Sequence, residues 1–169
     1  SQNYFPDNVV VGSSYLDFDA LAQLYDKQQW KNAFGLGDLP QMNPIADYDS
    51  GAVYRSTHGT QGPYISAANI QGYFTILGSG LQQAGPDLTA INFERGVLTL
   101  PPVGGSPNHA LIQFGQNDFT GVSDARLIFW DPTRRSPVNG KSGTYVSLDG
   151  GKRYTLGGMP NQTFKIPGR

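Results

Sequence analysis

Apolar positions along this chain follow two different spacings. "NVVVGSS" (residues 8–14) is a β-branched run stopped by Gly12, which predicts a buried strand followed by a loop. "FDALAQLYDKQQW" then sets Leu21, Leu24 and Tyr25 on one face of a helix over residues 17–30, with Asp17 placed to cap it. "KNAFGLG" (31–37) reads as a second short strand. A strand, a helix and a strand within about 30 residues predict a parallel βαβ unit.

Periodicity stops over residues 38–64, where Pro40, Pro44, Gly51, Gly59, Gly62 and Pro63 predict a long loop. A loop of that length is usually functional or joins two bodies. Beyond it, Ile70, Phe74, Leu77 and Leu81 form one helical stripe over residues 66–84, widened by Tyr73 and Ile76. Gly72, Gly78 and Gly80 weaken that helix by up to about 1 kcal/mol each. They mark either a close backbone approach to a sheet or tolerated surface positions. Gly85 suits the left-handed position after the helix, Pro86 stops it, and Thr89 caps a second helix over 89–99. Two helices meeting at so tight a corner call for a common surface to cover, such as a sheet edge. The rest is strand-like: "HALIQFG", "ARLIFWD", and "GTYVSLDGGKRYTLGG", which predicts a hairpin turning at residues 149–151.

Composition narrows the function classes. Only 15% of the 169 residues are charged and 38% are hydrophobic, so the surface relies on Ser, Thr, Asn, Gln and Gly, as in many exported proteins. The net charge of −1 supplies no basic field for nucleic acid or anionic lipid. With no cysteine, disulfide scaffolds, thiolate metal sites and Cys nucleophiles are excluded. No apolar run approaches the roughly 20 residues of a membrane helix. The opening "SQNYFPDN" carries neither Met nor a leader pattern, and a processed protein or a fragment is expected.

Candidate chemistry is sparse. His58 and His109 both lie in Gly/Pro-rich segments without a G-x-S-x-G elbow, and both are expected far from triad partners. "DYDSG" (47–51) begins like a calcium loop but reaches His58 where a bidentate Glu belongs. "GLGDLP" lacks the third glycine and the Lys of a phosphate loop. Arg134–Arg135 reads as a solvated turn, and Asn161-Gln162-Thr163 is a glycosylation pattern that arises often by chance. No metal site and no catalytic residue is expected. "VVVGSSYLDFD" is more informative: a strand ending before a helix delivers Ser13, Ser14 and Tyr15 to the carboxyl edge of a sheet, where ligands of open α/β sheets bind. Hydroxyls and helix N-terminal N–H groups suit a carboxylate. Asp17 either caps the helix, its preferred role, or accepts from a ligand ammonium. The plainer alternative for this stretch is an ordinary capping loop.

The order of these segments, above all "AGPDLTAINFERGV" and "FTGVSDARLIFWDP…NGKSGTYV", is similar to the C-terminal part of type I periplasmic solute-binding proteins of ABC transporters, of the branched-chain amino-acid/amide type of actinobacteria. The resemblance implies an α/β fold, one part of a two-lobe type I architecture with a terminal β-hairpin. Residues 1–37 would end the second lobe as a βαβ unit and 38–64 would form a long crossover loop. Residues 65–108 would be a helical pair packing on the first lobe, and 109–169 the hinge return strands and hairpin. It further implies a non-catalytic, extracytoplasmic component, periplasmic or a cell-surface lipoprotein, that needs no cofactor. Its expected partners are a small polar solute (an amino acid or amide, bound through Ser13, Ser14, Tyr15 and Asp17), the N-terminal portion of the same protein, and an ABC permease. The alternative is a secreted β-rich carbohydrate-binding or structural module, which the many Tyr, Trp and Gly residues favour and the two capped helices oppose. A third reading, an enzyme fragment, has no motif behind it.

Overall fold

The computed structural model describes residues 3–12, 17–41, 43, 49–58 and 65–167. The elements in chain order are β1 (Val9–Val11), α1 (Asp19–Ala22), α2 (Lys27–Trp30), β2 (Ala33–Gly37), α3 (Asp49–His58), α4 (Ile65–Ala84), α5 (Ala90–Leu98), β3 (Asp124–Arg135), β4 (Ser142–Ser147) and β5 (Arg153–Thr155). The class is mixed α/β, with one mixed five-stranded sheet. The chain divides into two compact units. The first comprises Ser1–Met42, Gly104–Leu111 and Val122–Arg169, and the second Asn43–Val103 and Ile112–Gly121.

The first unit contains the sheet. β1 and β2 are parallel neighbours, with Val9 opposite Ala33 and Val11 opposite Gly35, as expected of the βαβ unit. β1 is an edge strand, however, so only Val11 is buried and Val10 faces solvent. The crossover is not one helix over 17–30 but two single turns. Asp26 interrupts it: its carboxylate accepts from the N–H groups of Gln28 and Gln29 and caps α2, which ends α1 before that point. Val11, Ala22, Ala33, Ile128, Trp130 and Tyr145 form the core, with Val9 and Trp30 packed against it. The apolar segment of β3 is therefore buried within the unit, and no exposed apolar face forms over residues 128–130.

β3 is the central strand. It pairs antiparallel with β2 on one side and with both β4 and β5 on the other. The expected hairpin at 149–151 does not form. Ser147 lies opposite Ile128 and Arg153 opposite Arg126, so β4 and β5 run in line along one edge of β3. The 149–151 turn is an excursion between two stretches of the same ladder. Asp149 at φ 49°, Gly150 at 63° and Gly151 at 82° hold the turn in left-handed backbone. The Leu148 N–H donates to the Leu127 carbonyl and restores the register after Ser147. "HALIQFG" is not a strand either. It makes only isolated bridges, because the Leu111 N–H donates to the Asp124 carboxylate and its carbonyl accepts from the Ser123 N–H.

The second unit is helical. α3 occupies ten residues of the stretch expected to be an irregular loop. α4 and α5 fall where the periodicity placed them: Gly85 is left-handed at φ 74°, and the Thr89 hydroxyl accepts from the Asn92 N–H. A 20-residue helix argues against the β-rich module. α4 and α5 meet at Gly80 and Gly96. A Cβ on Gly96 would lie 2.7 Å from the Gly80 carbonyl oxygen, and one on Gly80 2.7 Å from Val97. Gly72 and Gly78 border open space, so the close approach belongs to Gly80 alone, and its partner is a helix rather than a sheet. No helix among the described residues is long and apolar enough to cross a membrane.

Candidate functional site at the carboxyl edge of the parallel strands

Because β1 and β2 are parallel, their carboxyl ends reach the same edge of the sheet, at Gly12 and Asp38. Ser13, Ser14 and Tyr15 lie outside the described residues. Asp17, the fourth residue of the expected site, is fully buried beside the end of β2. It does not cap α1: the N-cap position falls on Phe18, with no side-chain bond to the helix. Instead, the Leu39 N–H donates to its Oδ2 at 3.4 Å. Gly37 makes this seat possible, since a Cβ there would stand 2.5 Å from that same oxygen. The other carboxylate oxygen of Asp17, and Oδ1 of Asp38, are buried without a hydrogen-bond partner. Burial, and next the Asp38 carboxylate, push the Asp17 carboxyl up to about 6, while the Arg126 guanidinium and the Leu39 N–H pull the other way.

Two arginines that periodicity alone does not single out complete this edge. Arg126 stands on the same face of β3 as the core positions Ile128 and Trp130 and is fully buried. It donates to the carbonyls of Leu39 (3.0 Å) and Pro40 (3.2 Å) and to the Ser147 hydroxyl (2.6 Å). Arg153 on β5 pairs with Asp124 at 2.9 Å, both side chains almost wholly buried, and donates to the carbonyls of Asp38 and Leu39. The backbone of residues 38–40 is thus gripped at its N–H by Asp17 and at its carbonyls by two guanidiniums. The sequence signal was available: a charged residue at a core-facing position of a strand is costly unless it has partners.

Asp19, which the sequence pattern does not single out, is the aspartate that fastens α1. It accepts from the Thr144 hydroxyl (2.7 Å) and the Tyr145 N–H (2.9 Å), and Gln23 donates to the Gly143 carbonyl (2.8 Å). These bonds satisfy polar groups of β4, the last strand of the sheet. Trp30 donates to the Tyr145 hydroxyl at 3.0 Å.

The other candidates stand apart from this edge. His109 is not distant from serine as expected: its Nδ1 lies 3.3 Å from the Ser106 hydroxyl, because both belong to one exposed tight turn. Among the described residues no carboxylate bonds to the other ring nitrogen, so the pair lacks the third group of a triad. The side chain of His58, at the end of α3, lies outside the described set. Among the described residues no group of three His, Cys, Asp or Glu could hold a metal. A shallow cleft of about 30 Å³ between Tyr25, Trp30 and Trp130 has room for about one water.

The fold and this edge define a mixed α/β protein with a buried polar block where its two parallel strands end. No family model, curated protein or solved structure matches the chain.

Proposed function

We propose that this chain is part of an extracytoplasmic solute-binding protein of an ABC importer. It would bind a small polar solute, an amino acid or amide, without catalysing a reaction on it. One observation carries the reading: β1 and β2 are parallel, are joined by a helical crossover, and end together at one sheet edge. That edge is where open α/β sheets take ligands. Ser13, Ser14 and Tyr15 follow β1 in the chain after Gly12 and are the residues proposed to touch the solute. Asp17 is given a different role from the one the sequence suggested. Its side chain has no exposed surface, so it fastens the β1–α1 connection to the end of β2.

The second unit supports a further partner. Ile70, Tyr73, Phe74, Leu77 and Leu81 of α4 are all exposed, and an apolar stripe of this kind calls for a covering surface. In this reading the cover is the N-terminal portion of the same protein, and the assembled protein delivers its solute to an ABC permease. The test is calorimetry on the full-length protein against a panel of amino acids and their amides. Ser13→Ala and Ser14→Ala should each weaken the solute that binds by roughly ten- to a hundredfold, the loss of one charge-assisted hydrogen bond. Unchanged affinity in both variants, or no binding across the panel, overturns the proposal.

A further inference from the structure

The polar block at the end of β2 has an unbalanced charge and two unsatisfied acceptors. Asp17, Asp38 and Asp124 face Arg126 and Arg153, three carboxylates against two guanidiniums. Arg153 pairs with Asp124. The remaining excess falls on Asp17 and Asp38, which are also the two groups with a buried oxygen and no donor. Something positive is missing. A metal ion is a poor fit, because the carbonyls of residues 38, 39 and 40 that would ligate it already accept from guanidinium groups. A proton fits: it cancels the surplus charge and turns one of the orphaned acceptors into a donor.

We propose that the Asp17–Asp38 pair is a proton switch on the end of β2, in which one proton keeps the block neutral and residues 38–40 fastened to Asp17. When the proton leaves to solvent, a second like charge appears within the buried block. The Leu39 N–H and Arg126 favour that charge, but burial and Asp38 outweigh them, so Asp17 is driven from its seat at Gly37 and the Leu39 N–H loses its acceptor. The charged and titratable groups facing Asp17 from the surrounding elements act in opposed directions. Asp38 repels its carboxylate and Arg126 attracts it. Arg153 and Asp124 stand next to residues 38 and 39 as a neutral pair. Asp19 on α1 and the Tyr145 phenol on β4 are near enough for both aspartates to act on that phenol, which burial already pushes up. The switch needs no ligand and lies wholly within the first unit, so its failure and the failure of the solute-binding reading are separate events.

The experiment is an NMR titration of the 169-residue chain, following the Asp17 and Asp38 carboxyl carbons and the Leu39 amide. The Asp17 carboxyl should titrate with a midpoint near 6, and the Leu39 amide should shift with the same midpoint. Asp17→Asn should abolish the amide transition, and Asp38→Asn should keep it but move its midpoint down. Replacing sodium by N-methylglucamine should change nothing. Titration of the Asp17 carboxyl near about 4, or an amide transition that survives Asp17→Asn, overturns the switch. A midpoint that moves with the cation overturns it in favour of a metal. If Asp17→Asn does not fold, the shift in Asp38→Asn decides alone.

Discussion

Asp17 and Gly37 show how much one residue pair sets at this edge: a glycine's missing Cβ makes room for a carboxylate that has no exposure to water. Folding raises the Asp17 carboxyl from 3.8 to about 6, so the folded state holds its proton more tightly than the unfolded one. The stability linked to Asp17 is therefore fully present below its unfolded value and is lost as pH rises through about 6. The loss amounts to roughly 3 kcal/mol once ionisation is complete. Urea unfolding from about pH 4 to about pH 8 should show this decline in the native chain and a flatter profile in Asp17→Asn. A native profile that rises across the window contradicts the assignment. Gly35 gives a second residue-level expectation, since any Cβ there collides with the Val11 carbonyl of the neighbouring strand. Gly35→Ala should cost about 1–3 kcal/mol by overpacking, read as a lower urea midpoint and as faster amide exchange at Val9–Val11. Unaltered exchange in β1 would show that the strands separate without strain.

At the scale of elements, what was legible in the sequence followed the range of the forces that shape it. α4, α5 and the corner between them were readable because their determinants are local: a four-three-four stripe, Gly85, Pro86 and the Thr89 cap. β1 and β2 were readable as short β-branched or Gly-bounded runs, and their parallel pairing followed from the length of the crossover. The β4–β5 geometry was not readable, because "YVSLDGGKRYTL" satisfies a hairpin's local rules. Only the long central strand beside it, offering partners at both Ile128 and Arg126, makes an in-line arrangement better. The split of α1 from α2 was legible in principle at Asp26, a capping residue within the periodic stretch. The meeting of two parallel strands at one edge was readable; of the Asp17–Arg126–Arg153 block only Arg126 left a signal, a charge at a core-facing position, and its partners were not readable because they lie far apart in the chain. Two kinds of glycine, one in α4 and one in α5, offer an element-level test. Gly78 borders open space, so Gly78→Ala should stabilise the helix by about 1 kcal/mol. Gly96→Ala, pressed against the Gly80 carbonyl, should push α5 from α4 and lower helicity by circular dichroism. Equal effects of the two substitutions would mean that the Gly80–Gly96 seam does not hold the helices together.

For the whole molecule, the two units differ in what holds them. Every hydrophobic side chain buried among the described residues, from Val11 to Tyr154, belongs to the first unit. In the second, Ile76, Phe93 and Val97 are only half buried, while Tyr73 and Phe74 are 71% and 68% exposed. Helices without a buried apolar face depend on propensity, and α4 carries three glycines that lower it. The 169-residue chain should therefore not unfold as one cooperative unit. In native-state hydrogen exchange, the amides of α4 and α5 should open at a lower free energy than those of β2, β3 and β4, and at lower urea. The α4 stripe should also bind a hydrophobic dye under conditions where Trp130 and Tyr145 remain packed, as seen in the near-ultraviolet circular dichroism. Adding the N-terminal portion proposed to cover that stripe should abolish dye binding and bring the two sets of amides to a common opening energy. A single coincident transition in the isolated chain would mean that the second unit is stable without cover, and the case for a missing partner would fall with it.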